Sequence, residues 1–303
     1  MRIVTLNTWK NEGGYLRRLD RMARGLAALA PDIVCLQECF AGDGRDTAAH
    51  QANALGLNHH ARPARAKLRR HEGAMVASTS GLAILSRLPA VAEGVRALAS
   101  HPADGERIAQ RLDLAVDGRR LRILNLHLTH LPGPDSARLR GRQLAAALNW
   151  AGEDLAAGLV VAGDLNATAA DPALAPLKAQ VGFEAATFLG PRAERDGQAI
   201  DHLVLQEPGG WRVAARSAPS TRSTPKAGCR AITPPSSWTW LRPRVKTQLR
   251  LGEIKDLSVF NIQSSPRNGD PGVSVGLSEP PGSLKRLETR KKPGSPFLRH
   301  DLN

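Results

Sequence analysis

The stretch of sequence that decides the fold is Leu159-Val160-Val161-Ala162-Gly163-Asp164-Leu165-Asn166. An uncharged apolar run precedes two polar residues, which is typical of a buried strand in an α/β protein. Because residues two apart on a strand share a face, Asp164 and Asn166 are predicted to point into one cavity. The stretch therefore predicts a core strand that delivers a carboxylate and an amide to a polar site.

Further apolar runs lie on both sides of this strand. Helical spacing of apolar residues predicts helices at Tyr15–Leu29 and Ala137–Trp150. Shorter runs predict strands at Arg2–Thr8, Ile33–Leu36, Gly81–Ser86, Ile108–Val116, Leu121–Leu128 and Ala199–Leu205. The turn Asp117-Gly118 joins two of them into a hairpin, which favours a mixed sheet. The polar stretch Ala41–Arg70 predicts a helix followed by a surface loop.

Polar residues recur where the predicted strands end. They are Asn7, Gln37-Glu38, Asn125 with His127, Asp164 with Asn166, and Asp201-His202. Carboxylate and amide oxygens suit Mg²⁺ or Mn²⁺, which polarise phosphoryl oxygens and stabilise leaving groups. His127 and His130 are three apart and face oppositely if the strand continues, which argues against a two-histidine zinc site. The composition of the set therefore favours phosphoester chemistry.

The order of these motifs resembles the endonuclease/exonuclease/phosphatase (DNase I-like) superfamily. The matching segments are Thr5–Trp9, Asp32–Glu38, Gly81–Arg87, Asn125–Leu128, Gly163–Asn166 and Ile200–His202. Each short motif is weak alone, and the joint order and spacing over about residues 1–215 carry the resemblance. It implies an α/β four-layer sandwich of two mixed β-sheets flanked by helices.

The resemblance also implies a role for each matching residue. Asn7 and Glu38 are expected to bind the metal, Mg²⁺ or Mn²⁺. His127 is expected to contact the phosphate, while Asp164 and Asn166 orient it and the attacking water. The implied activity is a divalent-metal-dependent phosphoester hydrolase in which water attacks phosphorus in line.

One family motif is missing. The superfamily ends with Ser-Asp-His before a last apolar strand, and that histidine is the general base; this sequence contains no Ser-Asp-His. Asp201 matches the aspartate of the penultimate strand, which supports the catalytic histidine. His202 is a second-rank candidate for the base, since it lies where the aspartate belongs and no serine precedes the pair.

The composition changes at about residue 216. Residues 1–216 contain 27 Lys or Arg, 22 Asp or Glu and 42 Ala, whereas residues 217–303 contain 15, 6 and 3. The second segment also holds 11 of the 21 prolines. We therefore expect a domain at 1–216 that lacks its last strand, and a basic Pro/Ser-rich tail at 217–303 that is irregular or disordered. Most of the net charge of +14 lies in this tail.

The segment Cys229–Trp240 suggests how the tail arose. If the codons end mostly in G or C, and the Arg230 codon ends in A, reading them one nucleotide earlier gives Ser-Asp-His-Ala-Ala-Val-Val-Val-Asp-Val. This product contains the missing motif and an apolar strand. We hypothesise a frameshift between about Arg216 and Gly228, with a genuine basic extension as the alternative. Codons for Ser-Asp-His in the preceding frame of the gene would support the frameshift.

Other sequence features limit location and partners. No run of 18 apolar residues occurs, the N-terminus is too polar for a signal peptide, and three cysteines form no paired spacing. A cytoplasmic monomer is expected, acting on a nucleic acid, a phospholipid head group or a small phosphodiester. Two alternatives stay open: an inactive remnant of such an enzyme, and a nucleic-acid-binding protein that uses the basic tail.

Overall fold

A computed structural model describes residues 1–153, 158–179, 183–184, 200–206, 211–217 and 257–264. The chain divides into two units, Met1–Pro266 and Arg267–Asn303, and all described residues belong to the first. None of the helices in this described part is long and apolar enough to cross a bilayer.

Strands dominate the described chain, and helices separate them at a few points. The first elements are β1 (Arg2–Asn7), α1 (Tyr15–Leu29), β2 (Ile33–Gly42), β3 (Arg45–Asp46), α2 (Thr47–Leu55), β4 (Asn58–His71), β5 (Ala74–Ser86) and β6 (Ala90–His101). Next come β7 (Gly105–Val116), β8 (Arg119–His127), α3 (Pro134–Gly152), β9 (Gly158–Asp164), a 3₁₀ turn (Pro172–Leu174) and α4 (Ala175–Ala179). The last are β10 (Phe183–Glu184), β11 (Asp201–Gln206), β12 (Trp211–Ser217) and β13 (Leu257–Ser264).

The strands form two mixed sheets. The first sheet has the order β12-β13-β1-β2-β5-β4, with β3 beside β2, and the second has the order β10-β11-β9-β8-β7-β6. The pairs β1–β2 and β8–β9 are parallel, and the other pairs in both sheets are antiparallel. The parallel strands β8 and β9 end together, at His127 and Asp164, whereas β1 ends beside Gln37 and β2 continues to Gly42. The predicted mixed sheets are confirmed.

Three apolar clusters show the layering. The central cluster packs the two sheets face to face, through residues such as Ile33 and Ile84 from one and Ile123 and Val160 from the other. Helices α1 and α2 cover the outer face of the first sheet, and α3 covers that of the second. This helix–sheet–sheet–helix order is the four-layer sandwich that the sequence predicts.

A buried amide pair fixes the two sheets against each other near the strand ends. Gln37 Nε2, on β2, donates to Asn125 Oδ1, on β8, at 2.7 Å. Asn125 Nδ2 in turn donates to the carbonyls of Leu36 and Ala83, each at 3.0 Å. Both side chains are fully buried. Because buried polar groups are costly unless paired, this network favours one alignment of the sheets.

Two regions differ from the sequence-based expectation. The loop predicted within Ala41–Arg70 is instead the long strand β4, which pairs along its whole length with β5. Strand β13 lies in the segment predicted to be a tail and pairs antiparallel with β1, so the first unit extends past the expected boundary at 216. This pairing covers an edge of β1 that would otherwise be open. The segment Cys229–Trp240 lies outside the described residues.

Candidate active site

A cavity of ≈ 260 Å³ opens where β1, β8 and β9 end, beside Glu38 of β2. Five of the predicted site residues line it: Asn7, Glu38, His127, Asp164 and Asn166. They come from both sheets and are far apart in the sequence. The face-to-face packing of the sheets therefore brings the predicted site together at one edge of the sandwich.

Asp164 lies at the centre of these contacts. Its Oδ2 accepts a hydrogen bond from Asn7 Nδ2 at 2.9 Å and lies 3.7 Å from His127 Nε2. Its Oδ1 accepts from the backbone N–H of Asn166 at 3.0 Å. Asn166 is held in turn, because its Nδ2 donates to the carbonyl of Leu128 at 3.0 Å. Contacts with Asn7 of the first sheet, His127 of the second sheet and Asn166 after β9 thus orient the Asp164 carboxylate.

The backbone before Asp164 requires glycine. Gly163 has φ +137°, and a Cβ at this position would lie 1.9 Å from the carbonyl oxygen of Leu126. No side chain fits that distance, so the close approach of β9 to β8 depends on the missing Cβ. Asn166 follows with φ 49°, a left-handed conformation that asparagine tolerates better than most residues. Local geometry therefore explains the Gly-Asp-Leu-Asn order.

Glu38 is presented by an irregularity in β2. It has φ 56°, and the pairing of β2 with β5 shifts register between Leu36 and Cys39. Such a bulge changes the direction in which a side chain of the strand points. The Glu38 carboxylate is 13% exposed and forms an ion pair with Lys10, whose Nζ lies 3.0 Å from Glu38 Oε1. The sequence motifs did not single out Lys10, which also lines the cavity.

The oxygen ligands in the cavity suit Mg²⁺ or Mn²⁺, but they are few. No cluster of three or more His, Cys, Asp or Glu residues gathers in the described part of the chain. Mg²⁺ usually takes one or two carboxylates and keeps several waters, so Glu38 with the amide oxygen of Asn7 suits it. The carboxylate of Glu38 is already paired with a cation, the Lys10 ammonium.

His127 is held neutral by its surroundings. Burial lowers the pKa of its imidazole well below the usual value, and the positive charges of Arg107 and Lys10 lower it further. Its distance of 3.7 Å from Asp164 is too long for a hydrogen bond. A neutral imidazole in the cavity can donate one hydrogen bond to a phosphoryl oxygen and accept another at its second nitrogen.

A second charged cluster lines the same cavity around Asp104, which lies on the turn before β7. Arg107 Nε donates to Asp104 Oδ2 at 2.9 Å, and His130 Nδ1 lies 2.6 Å from Asp104 Oδ1. Arg65 Nη1 donates to the carbonyl of Asp104 at 2.7 Å. Burial raises the pKa of Asp104, but the hydrogen bond and charge of Arg107 outweigh it and hold the pKa at about 2. No sequence motif predicted this cluster, because its residues come from two strands, a turn and a loop that only the fold brings together.

Asp201 and His202 are not among the residues that line the cavity, although Asp201 lies beside Asp164 in the second sheet. Asp201 lies opposite Asp164 in the β9–β11 ladder and is buried. His202 is 1% exposed, and its Nε2 lies 2.7 Å from the carbonyl oxygen of Ala167. Successive strand residues face opposite sides, so His202 points away from the side of Asp201 and is not among the residues that line the cavity. This placement does not suit a general base at phosphorus.

The fold and the site together define a class of protein, an α/β sandwich with an oxygen-rich polar site at the strand ends. The sequence matches the Endonuclease/Exonuclease/phosphatase family over residues 4–251, and the chain belongs to this family. Enzymes of the family hydrolyse phosphoester bonds. No curated protein matches the sequence significantly.

Solved structures share the fold at low sequence identity. An endonuclease/exonuclease/phosphatase from Beutenbergia cavernae DSM 12333 is 18% identical, with a TM-score of 0.57 over 88% of this chain and 72% of that one. The human Nocturnin catalytic domain with bound sulfate is 16% identical, with a TM-score of 0.59 over 88% and 93%. A mannosyl-6-phosphatase from Bacteroides thetaiotaomicron VPI-5482 is 17% identical, with a TM-score of 0.51 over 72% and 92%. These similarities establish the fold.

Proposed function

We propose that the protein is a divalent-metal-dependent phosphoester hydrolase in which water attacks phosphorus in line. The observation that carries this proposal is the position of Asp164 in the cavity, 2.9 Å from the amide of Asn7 and 3.7 Å from His127. A fixed carboxylate beside a neutral imidazole and an amide can hold a water and a phosphate together. Family membership supports the reaction class.

Each group of the site has a task in this reaction. Glu38 and Asn7 would hold Mg²⁺ or Mn²⁺, which supplies Lewis-acid polarisation of a phosphoryl oxygen when bound. Asp164 accepts a hydrogen bond from the attacking water and thereby orients a lone pair of the water oxygen toward phosphorus. His127, being neutral, donates an N–H to a phosphoryl oxygen, and this bond strengthens as negative charge develops there. Asn166 holds Asp164 in place through its backbone N–H.

The proton acceptor is the incomplete part of this machinery. The sequence lacks Ser-Asp-His, and His202 is buried against Ala167. We propose that the frameshift removed the histidine that Asp201 would support, so that this chain works without its general base. General-base catalysis contributes about 10²–10⁴-fold. A version of the chain with the earlier frame restored after about residue 216 is expected to be faster by that factor.

The test measures hydrolysis of bis-p-nitrophenyl phosphate with Mg²⁺, with Mn²⁺ and with a chelator. Asp164→Asn is expected to abolish metal-dependent turnover. Asp135→Asn is the matched control, since Asp135 is an exposed residue in the first turn of α3, and it should leave turnover unchanged. Measurable metal-dependent turnover that is equal in Asp164→Asn and the unaltered chain would overturn the proposal.

The restored-frame chain separates the two proposals. Activity only in that chain would identify the present protein as an inactive remnant of an enzyme. Equal activity in both would overturn the proposal that loss of this histidine slows the chain, whereas the codons of the gene decide whether a frameshift occurred.

A further inference from the structure

We propose that Lys10 is an internal counter-cation of Glu38 that a divalent metal must displace, so that this lysine sets the metal affinity of the site. The inference rests on the proposed function, in which Glu38 binds the metal. It concerns a residue that the family motifs do not single out.

The distance between the two side chains carries the argument. Lys10 Nζ lies 3.0 Å from Glu38 Oε1, and the side chains are 35% and 13% exposed. Mg²⁺ binds carboxylate oxygens at about 2.0–2.1 Å. A metal at Oε1 and an ammonium 3.0 Å from the same oxygen would be close like charges in a partly buried place, where screening by water is weak. The two cations therefore compete for Glu38.

The backbone conformation at Lys10 also holds this residue beside Glu38. Trp9 and Lys10 have φ of 56° and 45°, left-handed conformations that are uncommon for such residues. The backbone N–H of Lys10 donates to the carbonyl of Glu38 at 3.2 Å. The pairing of Lys10 with Glu38 is thus anchored through main chain as well as side chain.

Arg18, on α1, holds the backbone of this loop in place through hydrogen bonds. Its guanidinium donates to four loop carbonyls, those of Thr8, Trp9, Lys10 and Glu12. The bond to the Lys10 carbonyl measures 2.6 Å. Because the loop backbone is fixed, displacement by a metal moves only the flexible Lys10 side chain. The cavity that it lines also contains His127 and Asp164, so the displaced ammonium stays beside the phosphate site, where its charge is available to the substrate.

The experiment measures the Kd for Mn²⁺ by electron paramagnetic resonance of the free ion and by calorimetry, without substrate. Lys10→Met removes the charge and keeps the stem, and Lys10→Gln serves as a second variant if the first folds poorly. Either is expected to tighten the Kd about ten-fold, which corresponds to about 1.4 kcal/mol. Lys10→Arg keeps the charge and should retain weak binding. Arg24→Met, at an exposed position on α1, is the control for a general loss of positive charge and should change the Kd less than two-fold.

The outcomes separate this inference from the proposed function. Tighter binding in Lys10→Met that Glu38→Gln abolishes supports both. Equal Kd values for the unaltered chain and Lys10→Met, both lost in Glu38→Gln, overturn the role of Lys10 and leave the metal site intact. No Mn²⁺ binding by the unaltered chain or either Lys10 variant overturns the metal-dependent function together with this inference.

Discussion

The side-chain amide of Asn7 donates a hydrogen bond to Asp164 Oδ2 at 2.9 Å, and this bond joins the two sheets at the cavity. Asn7 ends β1 in the first sheet, and Asp164 ends β9 in the second. The oxygen of the same amide accepts from the backbone N–H of Trp9 at 2.9 Å. Both ends of the Asn7 amide are therefore engaged, and the orientation of Asp164 depends on how the sheets pack.

Asn7→Ala is expected to lower kcat/KM of the metal-dependent reaction about 100-fold, because misplacing a reacting group by about 1 Å costs that much. The free energy of unfolding should change by only about 1 kcal/mol, the usual net value of one hydrogen bond. Steady-state kinetics and urea unfolding measure the two effects. Asn53→Ala, on the exposed face of α2, is the control and should leave kcat/KM unchanged. An Asn7→Ala enzyme with normal kcat/KM would contradict the linking role.

Gly163→Ala is expected to destabilise the fold by at least about 2 kcal/mol, because the new Cβ clashes with the Leu126 carbonyl and the positive φ is strained. Turnover should fall as well, since Asp164 follows directly. Gly152→Ala, at the end of α3 with no atom near the new Cβ, should be neutral or slightly stabilising. Thermal and urea unfolding of both variants provide the comparison. Equal effects of the two substitutions would show that the backbone at Gly163 is not constrained.

Local patterns predicted much of the fold and the central residues of the site. The helix at Tyr15–Leu29 and the turn at Asp117-Gly118 lie where the sequence placed them. Strand β4 was missed because it lacks an apolar alternation. The terminal nitrogens of its buried Arg69 donate instead to the hydroxyls of Ser78 and Ser80 on β5, a tertiary contact that hydropathy does not show.

The candidate site likewise contains some residues that the sequence predicts and others that it does not. Asp164 and His127 end apolar strands, so a local pattern marks them. Lys10 and Asp104 lie in segments without such a pattern, and only the packing of the two sheets brings them to the cavity. Neighbours in sequence can also separate, as Asp201 and His202 do on opposite faces of β11. Sequence patterns reveal residues on regular elements, whereas loop residues need the tertiary fold.

The buried ion pair between Arg122 and Asp113 gives a third prediction. Arg122 Nε and Nη2 donate to the two carboxylate oxygens at 2.7 and 2.8 Å, and both side chains are 2% exposed. Arg122→Met leaves the carboxylate buried without its partner and is expected to cost about 3–5 kcal/mol of unfolding free energy. Urea unfolding measures this loss.

The double variant is the control for that prediction. Removing both charges with Arg122→Met and Asp113→Leu should restore part of the stability, because no uncompensated charge remains. Arg138→Met removes an exposed arginine on α3 and should change the stability by less than about 1 kcal/mol. If the double variant lost more free energy of unfolding than the two single variants lose together, this account of the ion pair would be contradicted.

His202 is expected to make the fold sensitive to mild acid. Its imidazole is buried, and its Nε2–H donates to the Ala167 carbonyl at 2.7 Å. Burial lowers the pKa of His202, although this hydrogen bond partly opposes the shift. The unfolded chain, with a histidine pKa near 6.5, therefore takes up a proton at a higher pH than the folded chain does. Stability is fully present above about pH 6.5 and falls as the pH drops toward the folded pKa, by at most about 1.4 kcal/mol per pH unit for this group.

His202→Gln tests this dependence, because its amide can donate to the same carbonyl but does not titrate. The free energy of unfolding in urea, measured between about pH 7.5 and pH 5, should fall less steeply for the variant than for the unaltered protein. His127 is also buried and its pKa is also lowered, so it contributes part of the pH dependence of the free energy of unfolding in both proteins. His59→Gln, at an exposed position on β4, is the matched control and should keep the full slope. If His202→Gln lost stability in acid as steeply as the His59→Gln control, protonation of His202 would not be the cause.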